Sequence, residues 1–259
     1  MTPKRMLGFL LLFFLYQQAS ANEFYVINSL GESVSYWNGS SLQNDVTALG
    51  LYPNDCLLKG DTLLVLNSGS ASLQLFNRID FNLLNTVDLG TGNNPWAMAL
   101  APDNQLLVTN WNSNTISIVN LTSLSIEATI PTGNSPQAVL YYENKIFVTS
   151  VNYDASNYAY GQGQVFIYDA STHSEIAVLD VPNNPQKFIL ASDHLLHTLC
   201  TGDYWSSFGQ IIRINPDLLV MVDTLVVGGS PGDLAEDNDG TVYLAAGGWS
   251  SSGTPGQLY

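Results

Sequence analysis

Positive charge is scarce in this sequence. Lys and Arg together number 7 against 22 Asp and Glu, a formal charge of −15. So acidic a chain repels phosphate backbones, which excludes nucleic acid as an expected partner. Charge of either sign is scarce as well, at 11% of residues against the usual quarter or so. Surface polarity therefore falls to Asn, Ser, Thr, Gln and Gly. Only two cysteines occur, Cys56 and Cys200, which excludes a disulfide framework; two separate buried thiols are expected. Histidine is limited to His173, His194 and His197. The last two lie three apart on or beside an expected strand, so they point to opposite faces and make no two-ligand metal site there. No Gly-x-Ser-x-Gly elbow, Cys-x-x-Cys pair or phosphate loop is present, and Gly161-Gln162-Gly163 is followed by no helical pattern. No catalytic set, metal or cofactor is expected.

Long apolar runs are also missing after the N-terminus, so no later segment is expected to span a membrane. The first 21 residues read as a secretory signal. Lys4 and Arg5 precede an apolar run from Met6 to Tyr16, and Ala19-Ser20-Ala21 supplies small residues for cleavage. The mature chain is then expected to begin near Asn22 and to be exported, to the periplasm, the cell surface or beyond.

What the sequence does have is Gly, Pro and β-branched residues in a repeating order, which favours an all-β fold. A Pro follows a short Gly/Asn-rich turn and precedes an apolar stretch at Pro53, Pro95, Pro136, Pro185 and Pro231, at intervals of 41 to 49 residues. In phase with it runs an alternating strand that ends in Asn or Asp: Ser33 to Asn38, Ser72 to Asn77, Thr115 to Asn120, Gln164 to Asp169 and Gln210 to Asn215. Each period has room for four short strands, best seen at Trp96–Leu100, Gln105–Asn110, Thr115–Asn120 and Ile126–Ile130. A four-stranded antiparallel unit of this length is a β-propeller blade. Leu106-Leu107-Val108 and Ile116 with Ile118 and Val119 are apolar on both strand faces, as a blade covered by a neighbour on each side requires. In the Gly-x-x-Pro turn, Gly is expected to supply positive φ and Pro to fix φ where the chain drops towards the central channel.

The stretch Leu107-Val108-Thr109-Asn110-Trp111-Asn112-Ser113-Asn114-Thr115-Ile116-Ser117-Ile118-Val119-Asn120, continued by Ala128-Thr129-Ile130-Pro131-Thr132-Gly133-Asn134-Ser135-Pro136, resembles the YVTN repeat. The resemblance extends over nearly all of residues 22–259. It implies a β-propeller, often of seven blades, in a secreted, periplasmic or surface-layer protein that serves as a scaffold and binding surface. Seven blades plus a signal would take roughly 330 residues on this repeat. The expectation is therefore an open arc of about five to six blades, incomplete at its C-terminal end.

Three loops between second and third strands depart from the repeat: Val151 to Gly163, Thr201 to Gly209 and Gly247 to Gly256. They carry Tyr153, Tyr158, Tyr160, Tyr204, Trp205, Phe208 and Trp249 among Ser and Gly. In a four-stranded meander these loops share a face with the Gly-x-x-Pro turns, and Trp96 and Trp111 belong to that face too. Exposed aromatics with small polar neighbours suit a protein, peptide or glycan ligand. The candidate binding set is Trp96, Trp111, Tyr153, Tyr158, Tyr204, Trp205 and Trp249. Asp154 and Asp203 in the same loops, and Asp55 and Asp233 after their prolines, are expected to be solvated acids and not Ca²⁺ ligands, since no Asp-x-Asp-x-Asp loop is present. Arg213 takes the place of an apolar residue in its strand; it needs a carboxylate partner or a path to solvent. The expected function is an exported, non-catalytic binding or surface scaffold. The alternative is a propeller enzyme or electron-transfer subunit of the quinoprotein dehydrogenase or lactonase type. Such an enzyme would need a convergent polar set at the channel mouth, where Asn54, Trp96, Gln137, Gln186 and Gly232 stand instead.

Overall fold

A computed structural model of the chain describes residues 23–247 and the backbone of 257–258. The expected signal segment and Trp249 lie outside the described residues. Every regular element within them is a β-strand, and no helix among them is long and apolar enough to cross a membrane.

The strands form six consecutive antiparallel sheets. The first holds β1 (Phe24–Asn28), β2 (Ser33–Trp37) and β3 (Leu42–Ala48). The second holds β4 (Pro53–Lys59), β5 (Thr62–Asn67), β6 (Ser72–Asn77) and β7 (Leu83–Asp88), and the third β8 (Pro95–Ala101), β9 (Gln105–Asn110), β10 (Thr115–Asn120) and β11 (Ser125–Pro131). The fourth is built from β12 (Pro136–Tyr142), β13 (Lys145–Ser150), β16 (Gly163–Asp169) and β17 (Glu175–Val181), with a small hairpin of β14 (Tyr153–Asp154) and β15 (Ala159–Tyr160) inserted in its middle connection. The fifth contains β18 (Pro185–Leu190), β19 (Leu196–Cys200), β20 (Gln210–Asn215) and β21 (Val220–Val226), and the sixth β22 (Ser230–Glu236), β23 (Val242–Gly247) and β24 (Gln257–Leu258). Strand order within each sheet follows the sequence, so each is a meander. The first strand of one sheet packs on the first two strands of the sheet before it, as β12 does on β8 and β9. Stacked meanders of this kind are a propeller-like architecture.

Both sequence markers have a physical counterpart. The Asn or Asp that follows β2 or closes β6, β10, β16 and β20 caps the next turn through its side chain. Asn38, Asn77, Asn120, Asp169 and Asn215 each accept the backbone N–H groups two and three residues on. Such Asx turns favour Asn and Asp at this position. The Pro of the first marker is buried at the start of the inner strand, and just beyond it the register slips by a β-bulge in all five copies. The bulge re-aims the residues that follow, among them Asn54, Trp96 and Gln186.

The role expected of the turn glycine holds in two copies, where Gly92 and Gly228 take positive φ, and needs correcting at Gly50 and Gly133, which do not. Positive φ falls as well on the residue before Pro at Tyr52, Asn94, Ser135 and Asn184. Gly50 and Gly133 are demanded by close packing. A Cβ on Gly133 would run into the Phe166 ring and lie 2.6 Å from Ser150 Cβ. The positive-φ residue and its predecessor accept backbone hydrogen bonds from the loop after the second strand, as in Trp111 N–H to Asn94 O (3.0 Å) and Thr201 N–H to Asn184 O (2.9 Å). Turn and loop are thereby sewn into one end of the molecule.

The core lies in the gaps between sheets. Leu64, Leu66 and Leu73 of the second sheet meet Leu106, Val108 and Val119 of the third. Leu107, Ile116 and Ile118, on the other side of the third sheet, meet Val139, Ile146 and Val148 of the fourth. Phe147, Val165 and Ile167 then meet Leu196, Ile212 and Ile214 of the fifth. Adjacent residues of one strand thus fill different gaps, which accounts for strands apolar on both faces. Hydroxyls pin neighbouring sheets at the inner strands: Ser68 Oγ donates to Pro95 O (2.6 Å), Thr109 Oγ1 to Gln137 O (2.7 Å) and Thr201 Oγ1 to Pro231 O (2.7 Å). Cys56 and Cys200 are separate buried thiols, and burial raises the pKa of both.

Candidate binding face

The turns before the inner strands and the loops after the second strands occupy one end of the stacked sheets. Across three consecutive sheets that end carries a chain of ring contacts. Trp96 on the β8 bulge meets Trp111, which follows β9, at 5.0 Å between centroids. Trp111 meets Tyr153 of the next sheet's hairpin at 6.0 Å, and Tyr153 meets Tyr160 across that hairpin at 5.2 Å. Tyr160 reaches Tyr204 of the fifth sheet at 5.9 Å, edge on. These spacings and tilts are those of favourable aromatic pairs, each worth ~1 kcal/mol beyond burial. Trp96, Trp111, Tyr153 and Tyr160 are half-buried and Tyr204 is exposed.

Four of the expected residues, Trp96, Trp111, Tyr153 and Tyr204, are therefore brought together. Tyr160 joins the two halves of the row, although it is not in the candidate set. The pairing of Tyr153 with Tyr160 in β14–β15 puts both rings on one side of the hairpin. The signal for this is the local turn between them, where Asp154 Oδ1 accepts from Ser156 N (2.9 Å) and Oδ2 from Asn157 Nδ2 (2.6 Å). Burial first, then the neighbouring phenols of Tyr204 and Tyr153, pushes the Tyr160 pKa up to about 12. Its hydroxyl stays protonated at neutral pH.

Tyr158 and Trp205 stand apart from the row at loop tips, 79% and 85% exposed. The Trp205 tip is fixed by Asp203, whose Oδ1 accepts the N–H groups of Trp205 (2.8 Å), Ser206 (2.7 Å) and Ser207 (2.8 Å), and whose Oδ2 accepts Ser206 Oγ. Partial desolvation opposes ionisation there, but these hydrogen bonds outweigh it and hold the Asp203 carboxyl well below the usual range. Asp154 and Asp203 are thus turn caps. Among the described residues, no group of three His, Cys, Asp or Glu is placed to hold a metal ion.

Side-chain amides position the rings from beneath. Asn54 Nδ2 donates to Trp96 O (2.7 Å), Asn134 Nδ2 to Tyr153 O (3.0 Å) and Asn183 Nδ2 to Tyr160 O (3.0 Å). Gln186 Nε2 donates to the Tyr204 hydroxyl (3.2 Å). Each amide comes from a turn before an inner strand or from a bulge, so the repeat itself anchors the row.

Two groups of ionisable residues lie elsewhere, and in the first Asp55 is buried, not the solvated acid expected of it. Asp55, fully buried on β4, accepts Met98 N–H (2.8 Å) from the next sheet through Oδ2, while Oδ1 has no hydrogen-bond partner. Burial chiefly, with Asp233 adding to it, pushes its pKa up to about 7 against the opposing effects of Met98 N–H, Lys187 and Cys56 N–H. Lys187 is itself paired with Asp233 (2.9 Å). On the fifth sheet, Arg213 forms a two-point pair with Asp223 directly across β20–β21 and lies 3.5 Å from Asp193, which also holds His197 (2.9 Å). Its carboxylate partners are therefore present, and the group braces three strands.

No family model matches the sequence, and no curated protein matches it. Solved structures do. The chain is similar to a chain of the mitotic checkpoint complex, with a TM-score of 0.71 at 16% identity over 91% of this chain and 73% of that one. It is also similar to Kuenenia stuttgartiensis hydrazine synthase, with a TM-score of 0.63 at 16% identity over 72% of this chain. The match spans about half, 52%, of the hydrazine synthase chain. At such identity these likenesses establish the fold alone: an all-β, propeller-like arrangement of antiparallel sheets.

Proposed function

We propose that the protein is an exported binding scaffold of the YVTN-repeat kind, whose six sheets are propeller blades, seven in the full ring, and which holds a partner on its aromatic end. The observation that carries this reading is the row of five rings drawn from three sheets, flanked by Tyr158 and Trp205 on loop tips. Large rings exposed on fixed loops are the usual anchors of protein interfaces. The scaffold beneath keeps its regular packing and hydrogen bonds whatever the loops contain, so the loops are free to specialise. The checkpoint-complex chain to which it is similar belongs to an assembly, which agrees with a role in binding. Export rests on Lys4, Arg5, the apolar run to Tyr16 and Ala19-Ser20-Ala21.

The test is an array of peptides and oligosaccharides probed with the purified chain and with a Trp205→Ala/Tyr158→Ala variant. Ligands that bind the first and lose at least about tenfold in affinity for the second support the face. If every bound ligand is held equally by both, the reading fails.

A further inference from the structure

The end that carries the rings differs from the rest of the molecule in charge and in hydrogen-bonding character. Its turns and loops over 89–94, 111–114, 132–135, 151–162, 182–184 and 201–209 contain no Lys or Arg. Asp154 and Asp203 lie within them, and Asp88 and Asp180 stand beside them, where the outer strands run up to this end. One basic residue, Lys187, stands beside Gln186 at the inner edge of this end, neutralised by Asp233; the others of the described chain lie elsewhere. Lys59, Arg78 and Lys145 sit at turns of the opposite end, and Arg213 lies within a strand, paired with an acid. Hydrogen bonds hold the Asp154 carboxyl, like that of Asp203, below the usual range. The end is therefore negative throughout the physiological pH range.

Its amide donors, moreover, are turned inward. Asn93, Asn112, Asn134, Asn152, Asn183 and Gln186 each donate to a carbonyl or hydroxyl of the scaffold. What this end offers outward is the faces of its rings with their indole N–H and phenol O–H groups, and carboxylates, with no Lys or Arg in its turns and loops. Its complement is a donor-rich cation. Guanidinium and ammonium groups are attracted to the faces of Trp and Tyr, and scattered carboxylates favour their approach. The ring spacing adds a length scale. Neighbouring rings are 5.0 to 6.0 Å apart, and side chains on one side of an extended peptide recur about every 7 Å.

We propose that the occupant of the aromatic end is a basic, extended segment of a partner protein, its Arg and Lys side chains lying across the Trp and Tyr rings. The inference rests on the reading that this end is the binding face.

The probes are a labelled nine-residue peptide with Arg at alternate positions, the same peptide with each Arg replaced by uncharged citrulline, and a panel of neutral oligosaccharides. Fluorescence anisotropy follows their binding to the wild-type chain and to the Trp205→Ala/Tyr158→Ala and Asp154→Asn/Asp180→Asn variants, with thermal melting as a check on folding. The Arg peptide is expected to bind, to lose about tenfold in affinity on the aromatic substitutions, and to lose several-fold on the acid substitutions. It should lose about tenfold again between low and 0.5 M salt, and the citrulline peptide should bind at least about tenfold more weakly. Equal binding of the citrulline peptide overturns the proposal. So does Arg-peptide binding that ignores the aromatic substitutions, because it is then diffuse attraction to an acidic chain. If only neutral probes bind, and lose affinity on the aromatic substitutions, the cationic partner is wrong and the binding face stands. If no probe responds to those substitutions, both readings fall.

Discussion

The third and fourth sheets pack on each other and follow the same plan, yet they connect their second and third strands in different ways. The third crosses from Asn110 to Thr115 by a tight turn, with Asn114 at positive φ and its N–H on Asn110 O. The fourth makes the same crossing through the β14–β15 hairpin between Ser150 and Gly163. The strands on either side do not register the change. Asn110 faces Thr115 as Ser150 faces Gln164, the bulge after Pro recurs, and so does the slip between third and fourth strands. Both loops nevertheless end in the same row of rings. Stability is thus written into the strands and the gaps between them, and recognition into what the loops carry. Substitutions should separate the two.

The largest effect should come from the gap between the fourth and fifth sheets. Phe147 is fully buried there among Val165, Ile167 and Leu196. Phe147→Ala should cost ~3–5 kcal/mol through lost transfer energy and an unfilled cavity, seen as a lower urea midpoint. If its cost is no greater than that of a loop substitution, the separation of scaffold from loops is wrong.

Asp55 comes next, and its effect depends on pH. In the unfolded chain its carboxyl ionises near the ordinary value, about 3.9. In the folded chain burial holds the proton until about pH 7. Between those limits the folded state binds more protons, so stability falls as pH rises, and the loss is complete only above the folded value. Asp55→Asn keeps an oxygen for Met98 N–H and carries no charge. It should match the wild type near pH 4 and exceed it by up to about 4 kcal/mol at pH 8. A stability difference that does not change across this range would contradict the burial-driven shift.

Gly133 and Gly92 sharpen the comparison at the turns themselves. Gly133→Ala must displace both the Phe166 ring and Ser150, a cost of ~1–3 kcal/mol. Gly92→Ala meets nothing within 4 Å but sits at φ +86°, so its cost of ~1 kcal/mol is conformational alone. A cavity made by Phe166→Leu should relieve the part of the first that comes from the ring, leaving that from Ser150, and leave the second unchanged. If both glycine variants respond alike, the two roles are not distinct.

Much of this architecture is legible in the sequence because its determinants are local. An Asn at the end of a third strand makes its Asx turn with the next three residues, so it recurs at a fixed place whatever surrounds it. The prolines mark the inner strands for the same reason. What depends on distant neighbours is not legible. Gly92 and Gly133 look alike in the chain, but Gly92 takes positive φ in open space, whereas Phe166 and Ser150 from other strands crowd Gly133. The aromatic composition of the loops is plain, but the link through Tyr160 depends on the hairpin register that sets it opposite Tyr153. Tyr158 and Trp205 share that composition and stand outside the row, because their turns lift them to the tips.

The smallest effect on stability should be that of the residues that matter most for recognition. Trp205 has its backbone in the Asp203 turn and its ring in solvent. Trp205→Ala leaves every hydrogen bond of that turn in place, since its donors, the N–H groups of residues 205 to 207, belong to the backbone and its acceptor is Asp203. Removing a ring so exposed forfeits little burial, and surface substitutions away from caps and cores usually stay within about 0.5 kcal/mol. Tyr158→Ala should behave the same way, its hairpin being held by Asp154. Tyr204→Ala is the informative contrast. Its ring touches Tyr160 and its hydroxyl takes Gln186 Nε2, so a cost of ~1 kcal/mol is expected. Thermal melts of the three variants should place Tyr204→Ala below two that are indistinguishable from wild type. Should Trp205→Ala melt lower than Tyr204→Ala, the Trp205 ring must be packed on the scaffold, and its role as an exposed anchor is lost.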